Sequence, residues 1–191
     1  MVSEVPSLTN NRFKTFLSGV LAMALELKEP LSEGKFTEDN LLNQLHQKLG
    51  SEVQIHIEGE PDWPMMFGEW FTKSKDSPCI LYPYDDRDDI DACVHAGAIK
   101  ELENGSAFDF MLLHRTSVDY CGHTYSSYDP ELTRYLLEYE KNIEEMIEKM
   151  DDNTTLVVFG DHGMTYTGSH GGGTELEMRT TFFAYQKTPF G

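Results

Sequence analysis

Basic residues are scarce in this chain of 191 residues: 15 Lys and Arg stand against 33 Asp and Glu, a formal net charge of −18. A protein that grips a nucleic-acid backbone needs a basic face, so nucleic acid is excluded as a partner class. Cysteine is scarce too. Cys79, Cys93 and Cys121 are the three in the chain, and none forms the close Cys-x-x-Cys pair of a zinc ribbon or a thioredoxin-type site. An odd number leaves at least one thiol unpaired within the chain, and Cys121 reads as a packing residue. Long apolar runs are missing: the longest, Phe16 to Leu25, falls well short of the roughly 20 residues that span a bilayer. The opening Met1-Val2-Ser3-Glu4-Val5-Pro6 lacks the basic segment of a secretory leader. The chain as it stands therefore reads as soluble. Repeats and low-complexity tracts are absent.

What is present supports one packed domain, since 39% of the residues are hydrophobic. Apolar residues from Phe13 to Leu27 recur at helical spacing and predict a helix over Asn11–Leu27, stopped by Pro30. A second helix is expected over Glu38–Leu49, ended by Gly50, and a third over Asp88–Leu102. Asp129-Pro130 is an N-cap and N1 pair, and the apolar stripe from Leu132 to Met150 follows it as the clearest helix. Strands are expected at Val53–Ile57, Cys79–Tyr82, Phe108–Leu113, Thr154–Phe159 and Thr180–Tyr185, with the fourth buried by its β-branched, uncharged content. Trp63 to Phe71 reads as a turn and a short helix. Strands alternating with helices predict an α/β fold with a mostly parallel central sheet.

Two clusters directly follow strands, at the sheet edge where ligands bind in open α/β folds. One is Asp119-Tyr120-Cys121-Gly122-His123. The other is Phe159-Gly160-Asp161-His162-Gly163-Met164, with His170 eight residues beyond His162 in Gly168-Ser169-His170-Gly171-Gly172-Gly173. Imidazole and carboxylate are zinc ligands. Asp119 and His123, four residues apart on a loop or a helical turn, can reach one ion, and His170 can return to complete it. Asp161 and His162 can hold a second ion if the strand end turns sharply, which Gly160 and Gly163 permit. Two such ions activate a hydroxyl and stabilise phosphoryl charge. The candidate nucleophile is Ser7, before a helix whose free amides suit phosphate oxygens. His46, His56, His95 and His114 read as hydrogen-bonded core histidines.

Together these residues resemble the alkaline phosphatase superfamily, and more closely the glycosylphosphatidylinositol (GPI) ethanolamine phosphate transferases. Gly160-Asp161-His162-Gly163-Met164 with Ser169-His170-Gly171-Gly172 is similar to that family's second metal motif. Val118-Asp119-Tyr120-Cys121-Gly122-His123 resembles its VDHCGH form, with Tyr120 in place of a His. Glu38-Asp39-Asn40-Leu41 resembles its EDNL segment, and Pro6-Ser7-Leu8-Thr9 with Arg12-Phe13-Lys14 resembles its PTTT…RLK nucleophile segment, with Ser7 where the pattern has Thr. The Glu-Leu-Glu of Glu175–Glu177 leans toward the branch that acts on the third mannose.

The resemblance implies two zinc ions, one on Asp119, His123 and His170, the other on Asp161, His162 and Ser7. It implies transfer of phosphoethanolamine from phosphatidylethanolamine to a mannose 6-hydroxyl of the GPI precursor, through a phosphoethanolamine-serine intermediate. It places the work in the lumen at the endoplasmic reticulum membrane, with a small stabilising membrane subunit as a possible partner. The family pattern has one more metal-binding Asp on a strand before the nucleophile, and membrane helices after the domain. Residues 1–191 are therefore expected to form a partial domain. Sequons at Asn104-Gly105-Ser106 and Asn153-Thr154-Thr155 suit a lumenal location. The alternatives are another phosphodiesterase or nucleotide pyrophosphatase of the superfamily, or an inactive fragment. A sulfatase is disfavoured because no Cys-x-Pro-x-Arg segment is present.

Overall fold

The structure is a computed structural model that describes residues 1–21, 35–73, 79, 87–105 and 107–189. Helix α1 (Thr9–Ser18) ends at Gly19, whose φ of 69° makes a left-handed cap with its N–H on the Thr15 carbonyl. The expected continuation to Leu27 fails there, because a left-handed residue breaks the helical ladder even where the apolar spacing runs on; residues 22–34 lie outside the described part. Helix α2 (Leu41–Leu49) starts later than Glu38 because the Asn40 side chain accepts the Asn43 N–H at 3.1 Å and fixes the cap.

Strand β1 (Ile55–Glu58) is followed by the short helix α3 (Asp62–Phe67), the long helix α4 (Arg87–Glu103), strand β2 (Phe110–Leu113) and helix α5 (Ser117–Tyr125). Helix α6 (Pro130–Lys149) opens as expected, with the Asp129 carboxylate accepting the Glu131 N–H and Pro at its first turn. Strand β3 (Thr155–Phe159), helix α7 (Glu175–Met178) and strand β4 (Phe182–Gln186) complete the order. The strand expected at Cys79–Tyr82 falls, apart from Cys79, outside the described residues. Among those residues no helix is long and apolar enough to cross a membrane.

The fold is α/β. β1 and β2 pair in parallel, Ile55 opposite Phe110 through Glu58 opposite Leu113. β3 and β4 pair antiparallel, Thr155 opposite Gln186 through Phe159 opposite Phe182. Successive side chains of β2 face opposite ways. Phe110 and Leu112 join Phe13, Leu17, Leu42, Ile55, Ile57 and Phe67 beneath α1, α2 and α3. Met111 and Leu113 join Ala98, Leu102, Met146 and Met150 of the α4 and α6 layer. Helices thus cover both faces of the parallel pair.

Along α6, Ile143, Met146, Ile147 and Met150 pack inward, while Leu136 is exposed. One expectation needs correction. Strand β3 is not deeply buried: Val157 is 46% exposed, and on β4 Phe182, opposite Phe159, is 57% exposed. Among the described residues β4 is the one strand that pairs with β3. Leu156 and Tyr185 reach the α6 core, and on the other face Phe16 covers only Phe159, ring to ring at 4.5 Å. Cys79 and Cys93 form a disulfide, and Cys121 is a buried free thiol, in keeping with its packing role.

Candidate metal centre

Asp119 and His123 lie on helix α5, one turn apart and on one face. The Asp119 carboxylate approaches His123 Nε2 at 3.4 Å and His170 Nε2 at 3.5 Å. His170 comes from the glycine-rich loop after β3. Gly168 brings that loop against α5: its φ is 77°, and any side chain there would strike the Gly122 carbonyl. The ligand atoms of Asp119, His123 and His170 all lie within 4.8 Å of one another.

The backbone sets the tautomers. Nδ1 of His123 donates to the Gly168 carbonyl at 2.7 Å, Nδ1 of His170 to the Ser7 carbonyl at 2.8 Å, and Nδ1 of His162 to the Gly163 carbonyl at 2.9 Å. A carbonyl only accepts, so each Nδ1 carries a hydrogen and each neutral ring presents a lone pair at Nε2. The Nε2 atoms of His123 and His170 face each other at 3.0 Å. Two lone pairs at that separation repel unless a proton or a cation lies with them. Oδ1 of Asp119 and Oδ2 of Asp161 have no hydrogen-bond partner. Anchored Nδ1–H groups, converging Nε2 lone pairs and unpartnered carboxylate oxygens are the donor set of a zinc-type cation, and the residues fit one.

Asp161 and His162 sit where the chain leaves β3. Asp161 Oδ2 is 3.4 Å from His162 Nε2, and the His162 ring stacks on His170 at 3.8 Å between centroids. The turn is tight: a side chain at Gly163 would meet the carbonyls of Leu176 and Arg179. Glu177 secures the loop from below. It closes a capping box with Thr174 at the start of α7 and accepts the Gly172 N–H at 2.8 Å. The Thr174 hydroxyl, then the Gly172 and Thr174 amides, hold its carboxyl below the usual range.

The five predicted ligands Asp119, His123, Asp161, His162 and His170 therefore come together. Ser7 joins them by its carbonyl. Its hydroxyl is fully buried, donates to the Gly172 carbonyl at 2.8 Å and accepts the Gly171 N–H at 2.9 Å. The hydroxyl that faces the cluster is Thr9, the first residue of α1, with Oγ1 3.2 Å from His162 Nε2. Because that Nε2 bears the lone pair, the Thr9 hydroxyl is the donor. Sequence reasoning passed over Thr9; its signal was its place in the same Pro6–Thr9 segment. It also gave no role to Arg12, which is 7% exposed and donates from Nε to the Asp161 carbonyl at 3.2 Å. Burial lowers the Arg12 pKa against the opposing charges of Glu4 and Asp161.

The remaining histidines lie elsewhere. His46 bonds the Trp70 carbonyl at 2.8 Å. His95 pairs with Glu145, and His56 with Glu101. His114 packs edge-on to Phe13 and Trp63, with Nδ1 3.7 Å from Glu60 Oε2; the Nδ1 atoms of His56, His95 and His114 all lack the hydrogen-bond partner expected of core histidines.

A strand-end site of carboxylates and imidazoles in an α/β fold can hold the cations that phosphoryl chemistry uses. The family model of type I phosphodiesterase / nucleotide pyrophosphatase matches residues 34–175, and the chain belongs to that family. Within it, the chain is 30% identical over 185 residues to GPI ethanolamine phosphate transferase 3, catalytic subunit, of Homo sapiens, an alignment covering 97% of this chain and 16% of the relative. It is 28% identical over 188 residues to GPI ethanolamine phosphate transferase 3 of Saccharomyces cerevisiae, covering 98% of this chain and 18% of that protein. It is 26% identical over 174 residues to GPI ethanolamine phosphate transferase 2 of Kluyveromyces lactis, covering 91% and 21%. The chain thus spans between 16% and 21% of the length of these relatives.

Proposed function

We propose that this chain carries the zinc-binding catalytic part of a phosphoethanolamine transferase. The enzyme moves phosphoethanolamine from phosphatidylethanolamine to a mannose 6-hydroxyl of the GPI precursor, in the lumen at the endoplasmic reticulum membrane. The observation that carries this reading is the convergence of three Nε2 lone pairs and two unpartnered carboxylate oxygens beside a threonine hydroxyl. Asp119, His123 and His170 hold one zinc; Asp161 and His162 hold the second. Bound zinc supplies Lewis-acid stabilisation of phosphoryl charge and lowers the pKa of a hydroxyl beside it.

Thr9 is the nucleophile in this reading, and Ser7, with its hydroxyl engaged by Gly171 and Gly172, holds the His170 loop. The amides at the start of α1 face the non-bridging phosphate oxygens. In the first step the Thr9 Oγ1–P bond forms and the P–O bond to diacylglycerol breaks, and the proton of Thr9 ends on the departing alcohol. In the second step the mannose hydroxyl attacks phosphorus, the Thr9 Oγ1–P bond breaks, and the sugar's proton passes back to Thr9.

The test is peptide mapping after incubation with zinc and phosphatidylethanolamine vesicles. A phosphoethanolamine adduct on Thr9, lost in Thr9→Ala and kept in Ser7→Ala, is the expected result. An adduct on Ser7 would return the nucleophile role to that residue. Turnover of a soluble nucleotide diester with no lipid-derived adduct would favour the second reading, a nucleotide pyrophosphatase, which rests on the family match.

A further inference from the structure

Helix α5 carries two of the cluster's side chains, yet Thr116 at its N-cap makes no side-chain cap bond. The first amides of a helix have no partner within it. Here they are met from a different element. Asp91, on α4, accepts the Thr116 N–H on Oδ1 at 2.8 Å and the Ser117 N–H on Oδ2 at 3.3 Å. The same carboxylate accepts the Tyr139 hydroxyl from α6. Arg115 Nε lies 3.6 Å from Oδ2, with its guanidinium stacked 3.8 Å over the Tyr139 ring. Asp91 is 2% exposed. A buried carboxylate is costly unless hydrogen-bonded and placed in a favourable field, and a helix N-terminus supplies both. One carboxylate thereby ties α4, α5 and α6 together.

Asp119 lies in the first turn of α5, two residues after the Ser117 amide that Asp91 holds. Each residue of slip rotates a helix by about 100°, so a frayed or shifted first turn would swing the Asp119 carboxylate away from His170. His123, one turn later, has its own tether in the Gly168 carbonyl; Asp119 has none, and its Oδ1 lacks a hydrogen-bond partner.

We propose that Asp91 is a positioning residue for the metal centre, acting through the start of α5 to hold the Asp119 carboxylate against His123 and His170. The proposal rests on the reading of those three residues as a cation site. It is tested by titrating metal-free protein with Co2+, following the absorption of the bound ion, together with amide hydrogen exchange over residues 116–123. Asp91→Asn keeps one acceptor but sets an amide N–H2 against donors. It is expected to weaken Co2+ binding by about tenfold, the loss typical of a partner behind a metal ligand, to alter the absorption band, and to speed exchange at Ser117 to Asp119. A merely structural role would lower the melting temperature and leave the affinity and band of the folded protein unchanged, and that result overturns the proposal. If Asp91→Asn does not fold, Tyr139→Phe decides: a few-fold weaker binding supports the proposal and wild-type binding overturns it. Wild-type protein that takes up no Co2+ would overturn the cation site itself, a failure distinct from equal binding by wild type and variant.

Discussion

Histidine meets carboxylate both under β1, where His56, Glu101 and Lys73 come together, and beyond β2 and β3, where Asp119, His123, Asp161, His162 and His170 do. Under β1, Glu101 receives the Lys73 ammonium on one oxygen and lies 3.3 Å from His56 Nδ1 on the other. Burial alone would raise the Glu101 pKa, but the hydrogen bond and charge of Lys73, with His56, outweigh it and leave the pKa lowered. Burial, more than the opposing pull of Glu101, lowers the His56 pKa. One anion, one cation and a neutral ring balance. Beyond the strand ends, no Lys or Arg side chain forms an ion pair with Asp119 or Asp161 among the described residues. There the imidazole N–H groups are spent on backbone carbonyls, and the Nε2 atoms face one another. Both clusters set imidazole against carboxylate. The difference is that one balances its carboxylate with a lysine cation, while the other leaves acceptors pointing at a common space.

The largest effect should separate the two by metal affinity. His123→Ala and Asp119→Asn are each expected to weaken Zn2+ binding by about 100-fold, close to 2.7 kcal/mol, in a competition titration, whereas Glu101→Gln leaves it unchanged. Stability should divide them the other way. Glu101→Gln leaves the Lys73 ammonium without its anion beside a buried ring and should cost about 2 kcal/mol, read as a lower denaturant midpoint at constant m-value. His123→Ala in the metal-free protein removes an unfavourable Nε2–Nε2 contact and should cost less. Gly168→Ala should cost at least as much as Glu101→Gln: positive φ alone costs a non-glycine residue about 1–3 kcal/mol, its Cβ would also strike the Gly122 carbonyl, and moving the carbonyl that holds His123 should weaken Zn2+ binding.

The smallest effect is the pH dependence from His56. Its folded pKa lies below the ordinary 6.5, so as pH falls through that value the unfolded chain takes up the proton first and stability drops. Glu101, lowered from 4.5, adds a loss in the same direction at more acid pH. His56→Gln should flatten the stability profile just below pH 6.5 without altering metal affinity.

The site residues were legible because Asp161-His162 and Asp119…His123 each follow an apolar strand, with Gly160 and Gly163 around the first pair and Gly122 inside the second. What makes them a centre was not legible: the Gly168, Ser7 and Gly163 carbonyls that fix the tautomers are backbone atoms, which a sequence does not display. Thr9 was passed over because Pro6-Ser7 reads as the approach to a helix, and only the extended backbone at Leu8 puts Thr9 first in α1. Helix α6 was plain from its Asp129-Pro130 start. The exposure of β3 was hidden, since β-branched content reports preference for a strand and says nothing of what lies across its face. Cys79 and Cys93 gave no pairing signal, because their approach depends on how α4 packs.

The most direct measurement is a long-range 1H–15N spectrum of the histidine rings, recorded before and after Zn2+ is added. Without metal, the rings of His123, His162 and His170 should each carry hydrogen at Nδ1; with metal, their Nε2 resonances should shift while those of His56 stay in place. Unchanged Nε2 resonances at saturating Zn2+, or metal-free rings without hydrogen at Nδ1, would contradict the account.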